Sequence, residues 1–335
     1  MNIKTYCNID NAYQEKTIQQ IQLQGFDKVE WIGQNKIHGT NFGANISQNG
    51  VVLLKHTGKI TPEMKFFNAF EVFETVKASY LELAKEVGQE ITIYGELAGG
   101  TYPHPNVKPI PNCVRVQNGI YYAPFNFIYA FDLYLHEQNK FMNMIELEKL
   151  FSKYGILHAQ TLVQGTLREC LAYPNNYSDP MHKYWSLPEI EGNETEGVVL
   201  KPVDCFFFDC GSRVILKNKN PKWSEKVFPG THKIIKPNNI PMTEKAAMVC
   251  EGLFALVTEN RLKNVISHIG SITNKDFGKL SKAMHDDVYE EYKKDNQEEF
   301  DSLEKTEQKI ISKRITTEVM NMIRSNFVNI IDGMF

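Results

Sequence analysis

No run of about 18 apolar residues occurs in the sequence, so a membrane-spanning helix is not expected. The opening residues, MNIKTYCNID, lack the basic-then-apolar layout of a secretory leader. A cytoplasmic protein is the expectation. Cysteine is sparse: the six residues Cys7, Cys113, Cys170, Cys205, Cys210 and Cys250 form no C-x-x-C pair, which argues against a zinc ribbon and for reduced thiols. Excess positive charge is lacking too, the formal net charge being −3. No internal repeat or low-complexity segment stands out, and nothing calls for an oligomer, so a monomer is the simplest expectation.

What remains is an ordinary globular composition, 42% hydrophobic and 23% charged. At 335 residues the chain exceeds what one core usually serves, and two domains are expected. Charge is unevenly spread. Residues 201–240 carry eight Lys/Arg against three Asp/Glu, whereas 285–308 carry three Lys against ten Asp/Glu. A polyanion can be gripped by one surface of such a chain, although a charge run also serves as a solvated face.

Residues 29–55 read as short strands, with Asn49-Gly50 as a hairpin signal. Residues 67–87 have helical spacing, with Phe70, Phe73, Val76, Leu83 and Val87 as core positions. ITIYGEL and FNFIYAFDLYL read as strands on either side of a proline-bearing loop. A helix is expected over 143–156, and EGVVLKP and RVILKNKN are strand-like. Two prolines in Lys236-Pro237-Asn238-Asn239-Ile240-Pro241 break the pattern, and almost everything beyond is helix-compatible. The expectation is an α+β chain: a domain of mixed antiparallel sheets and helices over 1–236, then an all-α domain over 242–335.

The sharpest local feature is Lys36-Ile37-His38-Gly39-Thr40-Asn41-Phe42. Alone, it is also a plain polar hairpin. Four further polar segments fit one task with it, covalent nucleotidyl transfer. A lysine amine must be neutral to attack an α-phosphorus, and its reference pKa is about 10.4. Burial or neighbouring cations favour the neutral form. Lys217 and Lys219 are two apart, so on a strand they point the same way and can clamp a triphosphate; an exposed strand edge would tolerate them equally. Pyrophosphate departure calls for Mg²⁺ (or Mn²⁺), which prefers carboxylate and phosphate oxygens. Glu96 ends ITIYGE and Glu196 starts EGVVLKP, each also readable as a surface acid. Phe131, beside Asp132, offers a face for a purine or fills a core.

K-x-H-G-T-N, Y-G-E, F-D, E-G-V-V-L-K-P and K-N-K occur here in the motif order of the covalent nucleotidyltransferases. Within that superfamily the chain closely resembles the RNA ligase 2 family of T-even-like bacteriophages, whose relatives include kinetoplastid RNA-editing ligases. The resemblance rests on KIHGTNF at 36–42, YGELAG at 94–99, FD at 131–132, EGVVLKP at 196–202 and RVILKNKNPKWSEK at 213–226. NVISHIG at 264–270 and KDFGK at 275–279 extend it into the helical tail.

The resemblance implies an adenylyltransferase domain followed by a helical domain that engages RNA. It implies ATP as AMP donor, a divalent metal and an RNA substrate, nicks in duplex RNA above all. Lys36 would form lysyl-AMP, and His38 would assist chemistry after adenylylation. Asn35, Ile37 and His56 would line the nucleotide site. Asn41 would position the phosphate or the RNA end. Glu96 would contact the ribose and Phe131 would stack on adenine. Glu196 would organise the metal or the lysine, with Lys217 and Lys219 on the α-phosphate. Two positions depart from the pattern: Asn35 stands where relatives often have Glu, and His56 where they carry Arg, whose bidentate fork a neutral imidazole does not reproduce. The alternatives are a non-catalytic RNA-binding scaffold that keeps the fold, or a DNA ligase of the same superfamily. The first should lack a lysine or glutamate of the set, and none is missing; the second should continue into a strand-rich domain, whereas this tail reads as helices.

Overall fold

The computed structural model describes residues 4–64, 66–224 and 242–335. By internal contacts the chain divides into two compact units, Met1–Lys222 and Trp223–Phe335. The break expected at Lys236–Pro241, and the end of the basic stretch with it, lies outside the described residues.

In chain order the first unit contains β1 (Asp10–Asn11), α1 (Glu15–Leu23), β2 (Trp31–Lys36), β3 (Thr40–Ser47), β4 (Gly50–Lys55), β5 (Gly58–Lys59), α2 (Ala69–Val87), β6 (Ile91–Gly99), β7 (Asn126–Leu135), β8 (Lys140–Phe141), α3 (Met144–Lys153), β9 (Thr161–Gly165), α4 (Leu167–Ala172), β10 (Gly197–Pro202) and β11 (Leu216–Lys219). The strands form two sheets, ordered β1-β11-β10-β2-β9 and β5-β4-β3-β6-β7-β8. Every pairing is antiparallel except β1 with β11.

Each sheet covers one face with helices. Ile91, Ile93, Leu97, Ile128 and Ala130 pack beneath α2 and α3 through Phe73, Tyr80, Leu83, Leu147 and Phe151. Trp31, Val198, Leu200 and Leu216 pack on α1 and α4 through Ile21, Leu167 and Cys170. Side chains alternate along a strand, so the opposite faces carry the other residues. There Tyr94, Tyr134, Phe141 and Ile215 make a smaller aromatic cluster with Tyr6. Each well-buried side chain of this size contributes roughly 1.5–3 kcal/mol.

Local sequence explains the ends. α2 stops at Gly88, whose φ of 72° is cheap only without a Cβ. Asn143 caps α3 by accepting from Ile145 N and Glu146 N, and Thr166 with Glu169 forms a capping box on α4. The β3–β4 hairpin forms where expected, but its loop residues are Gln48 and Asn49. Gly50, at φ 113°, opens β4 opposite Ser47. Glycine takes the positive-φ position after the turn rather than sitting within it. Similarly, β6 does not end at Glu96; it runs on to Gly99, because β7 continues to pair with it.

The second unit is helical: α5 (Glu244–Phe254), α6 (Glu259–Ile269), α7 (Phe277–Asp301) and α8 (Lys305–Ile331). Threonines cap α5 and α6, Thr243 accepting from Ala246 N and Thr258 from Arg261 N. The core follows a helical stripe: Ile311, Ile315, Val319 and Ile323 of α8 meet Leu280, Met284, Val288 and Tyr292 of α7. α7 bends at Asn296, whose side chain donates to Tyr292 O at 3.1 Å. The acidic run of 285–308 falls on α7 and the start of α8, where Asp287 pairs with the buried Arg261 at 2.5 Å. Among the described residues no helix is long and apolar enough to cross a membrane.

Candidate active site

The open face between the sheets carries the polar residues. On β2, alternation puts Lys36 on the side away from the Trp31 face. β10 pairs with it so that Gly197 lies opposite Lys36, and β11 pairs with β10 so that Lys219 lies opposite Gly197 and Lys217 opposite Val199. Three strand ends therefore converge on Glu196, the residue just before β10. Its Oε2 accepts from Lys36 Nζ at 2.8 Å and its Oε1 is 2.8 Å from Lys219 Nζ. His38 Nδ1 stands 3.5 Å from Oε2.

Glu196 is buried, at 2% exposure. Burial alone would raise its carboxyl, but the charges of Lys219 and Lys36, with help from His38, outweigh burial and hold it well below the usual carboxylate range. Lys36 is not the loose surface lysine that a polar turn suggests: its side chain is only 18% exposed and is spent on this pair.

The facing sheet supplies Glu96. Its Oε1 accepts from Gly39 N at 3.0 Å. Gly39 is required here, because a Cβ would lie 2.4 Å from Leu97 O and 2.9 Å from Glu96 Cγ. The turn that follows Lys36 is thus pressed against β6. Burial, reinforced by the negative charge of Glu196, raises the Glu96 carboxyl to about 7 despite the opposing influence of Lys36. Next to Gly39, His38 N donates to Tyr122 Oη at 2.6 Å.

Phe131 and Asp132 are adjacent, yet both belong to this side of the sheet. The pairing of β7 with β6 skips a residue, Tyr94 facing Asp132 and Gly95 facing Ala130, so Phe131 is the bulged position. Phe131 is partly buried, with Tyr6 at 5.0 Å between ring centroids and Lys201 Nζ at 5.3 Å from its own. Asp132 is wholly buried and accepts from Tyr6 Oη at 2.7 Å and Arg213 Nη1 at 2.6 Å, with Lys201 Nζ at 3.3 Å. Burial would raise its carboxyl; Arg213 and Lys201 bring it below its ordinary value instead.

Of the residues singled out by sequence, Lys36, His38, Glu196 and Lys219 meet directly, and Glu96 joins them through Gly39. Lys217 shares the face of Lys219 on β11. Ile37 is buried in the turn after β2, at 3% exposure. Asn41 pairs with Glu96 across β3 and β6. His56 lies in the β4–β5 turn, and the register of Gly43 with Leu54 puts that turn at the same end of the sheet as Asn41.

Asn35 is different. Its side chain lies on the opposite face of β2, where Oδ1 accepts from Tyr177 Oη at 2.8 Å and Thr195 Oγ1 at 2.7 Å, and Nδ2 donates to Asp179 Oδ2 at 3.2 Å. Residues not singled out by sequence are Tyr6, Tyr122, Asp179, Thr195, Lys201 and Arg213. For Lys201 a signal existed, since alternation in GVVLKP puts it on the face of Gly197 and Val199, where a lysine needs a partner. Arg213, 81 positions from Asp132, gave none.

A five-stranded and a six-stranded sheet carrying a Lys–Glu–Lys set fit a nucleotidyltransferase-type ligase, and comparison with known proteins supplies the class. The family described as RNA ligase is matched over residues 29–219, and the family described as T4 RNA ligase 2 C-terminal over 241–321. The chain belongs to the RNA ligase family. It is 27% identical over 318 residues to the mitochondrial RNA-editing ligase 1 of Trypanosoma brucei brucei, with 76% of this chain and 67% of that protein covered. To RNA-editing ligase 2 of the same organism it is 25% identical over 324 residues, covering 79% and 76%. A solved structure of a Naegleria gruberi RNA ligase mutant with AMP and Mn is similar with a TM-score of 0.45 at 13% identity, over 67% of this chain. The chain spans 61% of the length of that structure.

Proposed function

We propose that this chain is an ATP-dependent RNA ligase that carries AMP on Lys36 and seals a 3′-hydroxyl to a 5′-phosphate, preferring nicks in duplex RNA. The observation that carries the reading is the convergence of Lys36 and Lys219 on the two oxygens of Glu196, 2.8 Å each.

Lys36 Nζ, once deprotonated, attacks the α-phosphorus of ATP; the N–P bond forms as the bond to pyrophosphate breaks. Lys219 and Lys217, on one face of β11, stabilise negative charge on the phosphate in the transition state. Glu196 holds Lys36 aimed until triphosphate oxygens compete for the ammonium groups. A 5′-phosphate oxygen of RNA then attacks the AMP phosphorus and releases Lys36. Finally the 3′-hydroxyl attacks the 5′-phosphorus, and AMP leaves. His38, fixed through Tyr122 and Glu196, acts in the later steps. Phe131 would stack on adenine, and Glu96 would contact the ribose.

A divalent cation, Mg²⁺ or Mn²⁺, supplies charge neutralisation on the triphosphate and leaving pyrophosphate. Among the described residues no group of three or more His, Cys, Asp or Glu could hold a metal by itself. Mg²⁺ keeps several waters and binds largely through substrate phosphates; Glu196 is the residue that would hold its water shell. The helical residues 242–335 are assigned to the RNA duplex, where A-form shape and the 2′-hydroxyl can be read.

The test is incubation with Mg²⁺ and α-phosphate-labelled ATP, then denaturation. Label on the wild type and none on Lys36→Ala is expected; unlabelled wild type, folded and free of bound AMP, would remove the enzyme reading. Sealing of a nicked RNA duplex against free single strands tests the substrate, and a preference for free strands would overturn that part.

A further inference from the structure

The back of β2, the face turned away from Lys36, holds a buried carboxylate whose hydrogen-bond donors are neutral and whose burial the nearby His182 offsets only in part. Asp179 is 1% exposed. Its Oδ1 accepts from Met181 N at 2.9 Å, and its Oδ2 accepts from Asn35 Nδ2 at 3.2 Å. Burial raises its carboxyl to about 6, so at neutral pH it is still mostly ionised. A buried charge held by neutral donors is costly to keep, and packing alone gives no reason for it.

Its effect on its neighbours supplies one. The Asn35 amide is bounded by Tyr177 Oη, Thr195 Oγ1 and Asp179. The two hydroxyls can each donate or accept, so by themselves they leave both orientations of the amide open. An ionised carboxylate only accepts. Asp179 therefore fixes the NH₂ end of Asn35 toward itself and the carbonyl end toward Thr195. Thr195 must then donate to Asn35 Oδ1, at 2.7 Å, which leaves its lone pairs toward Gly197 N at 3.4 Å.

Each step of this relay abuts a residue of the site. Asn35 precedes Lys36, Thr195 precedes Glu196, and Gly197 lies opposite Lys36 in the sheet. The loop bearing Asp179 is laced to the same segment, with Asp179 N donating to Asn193 O and Thr195 N to Tyr177 O, both at 2.9 Å.

We propose that Asp179 is a positioning residue for adenylylation: through Asn35 and Thr195 it sets the direction of the hydrogen bonds that hold Lys36 and Glu196 in register. The inference rests on the lysyl-AMP reading above. It makes a specific demand, that positions 35 and 179 hold one carboxylate and one amide. The exchange of the two keeps every bond: Asp at 35 accepts from Tyr177, Thr195 and an amide at 179, whose own oxygen accepts from Met181 N.

Four proteins are compared in single-turnover labelling with α-phosphate-labelled ATP: wild type, Asp179→Asn, the double variant Asn35→Asp/Asp179→Asn, and Thr195→Val. Thermal melts run alongside, and rates are taken per folded protein. Asp179→Asn is expected to lower the rate at saturating ATP at least tenfold, with half-saturating ATP within threefold of wild type. The exchange should bring the rate back to within threefold. Thr195→Val breaks the relay without touching the carboxylate, so it should reproduce the loss of rate, and it serves if Asp179→Asn does not fold. Wild-type rates for the folded single variants, with only the melting temperature lowered, would reduce Asp179 to a stabilising contact and overturn the proposal. So would an exchange that restores melting but not rate. A wild type that takes no label would instead overturn the reading on which the proposal rests.

Discussion

Glu96→Gln should make the protein more stable, and by an amount that depends on pH in a stated direction. The Glu96 carboxyl is raised to about 7 in the folded chain from an ordinary 4.5, chiefly because it is removed from water. A folded-state value above the unfolded one means that the unfolded chain gives up this proton more readily. Ionisation therefore favours unfolding above pH 4.5, and the penalty grows until pH 7 and then levels. Its ceiling is the difference of about 2.5 pKa units, or about 3.4 kcal/mol at 1.36 kcal/mol per unit. Glutamine keeps the shape, and its carbonyl oxygen still accepts from Gly39 N, but it carries no charge. Urea unfolding of wild type and variant at pH 5, 6, 7 and 8 reads the difference. The variant should gain up to about 3 kcal/mol at pH 8, on the order of 10 °C in melting temperature for a unit of this size, and only about 0.8 kcal/mol at pH 5. Equal stability at pH 8, or a gap that widens on acidification, would refute the reasoning.

Lys36→Ala should abolish lysyl-AMP without unfolding the chain, since Glu196 keeps Lys219; loss of label with a melt that is lowered but still cooperative is the expected pair of results. His38→Ala should still form lysyl-AMP yet seal nicked RNA poorly, and full sealing would contradict the role given to His38. Arg213→Met leaves Asp132 buried with Lys201 alone, which should cost about 3–5 kcal/mol in denaturant unfolding. Gly39→Ala drives a Cβ into Leu97 O, and should cost about 1–3 kcal/mol or more because backbone, not a mobile side chain, must yield.

How much of this was readable beforehand depends on the range over which the information is carried. The period of two along a strand placed Lys217 with Lys219, and that period is local; the same period parts Asn35 from Lys36, although the resemblance assigned both to the nucleotide site. Helix and strand identities followed from the same local periodicity, as in the α8 stripe at 311, 315, 319 and 323. The pairing of strands is not local. Nothing near Glu196 announces that its two oxygens are shared by lysines 160 positions before and 23 after it. Strand ends were misread for the same reason. ITIYGE reads as ending at Glu96 although the chain offers no breaker there, and β7 on its flank explains why pairing runs on to Gly99.

Alternation also bears on how position 35 should be understood. Sequence adjacency to the nucleophile suggests a shared task in the nucleotide site, but adjacent residues on a strand face opposite ways. The Asn35 side chain therefore cannot line the same face as Lys36 without a bulge, and β2 pairs with β10 in unbroken register from Trp31 to Lys36. Its amide instead closes the contacts of Tyr177, Thr195 and Asp179. A strand that bears its chemistry on one face needs rigidity from the other. In this chain Glu196 meets Lys36 and Thr195 meets Asn35 just where the chain enters β10 beside the end of β2, so a change behind the sheet should be felt in the rate before it is felt in binding.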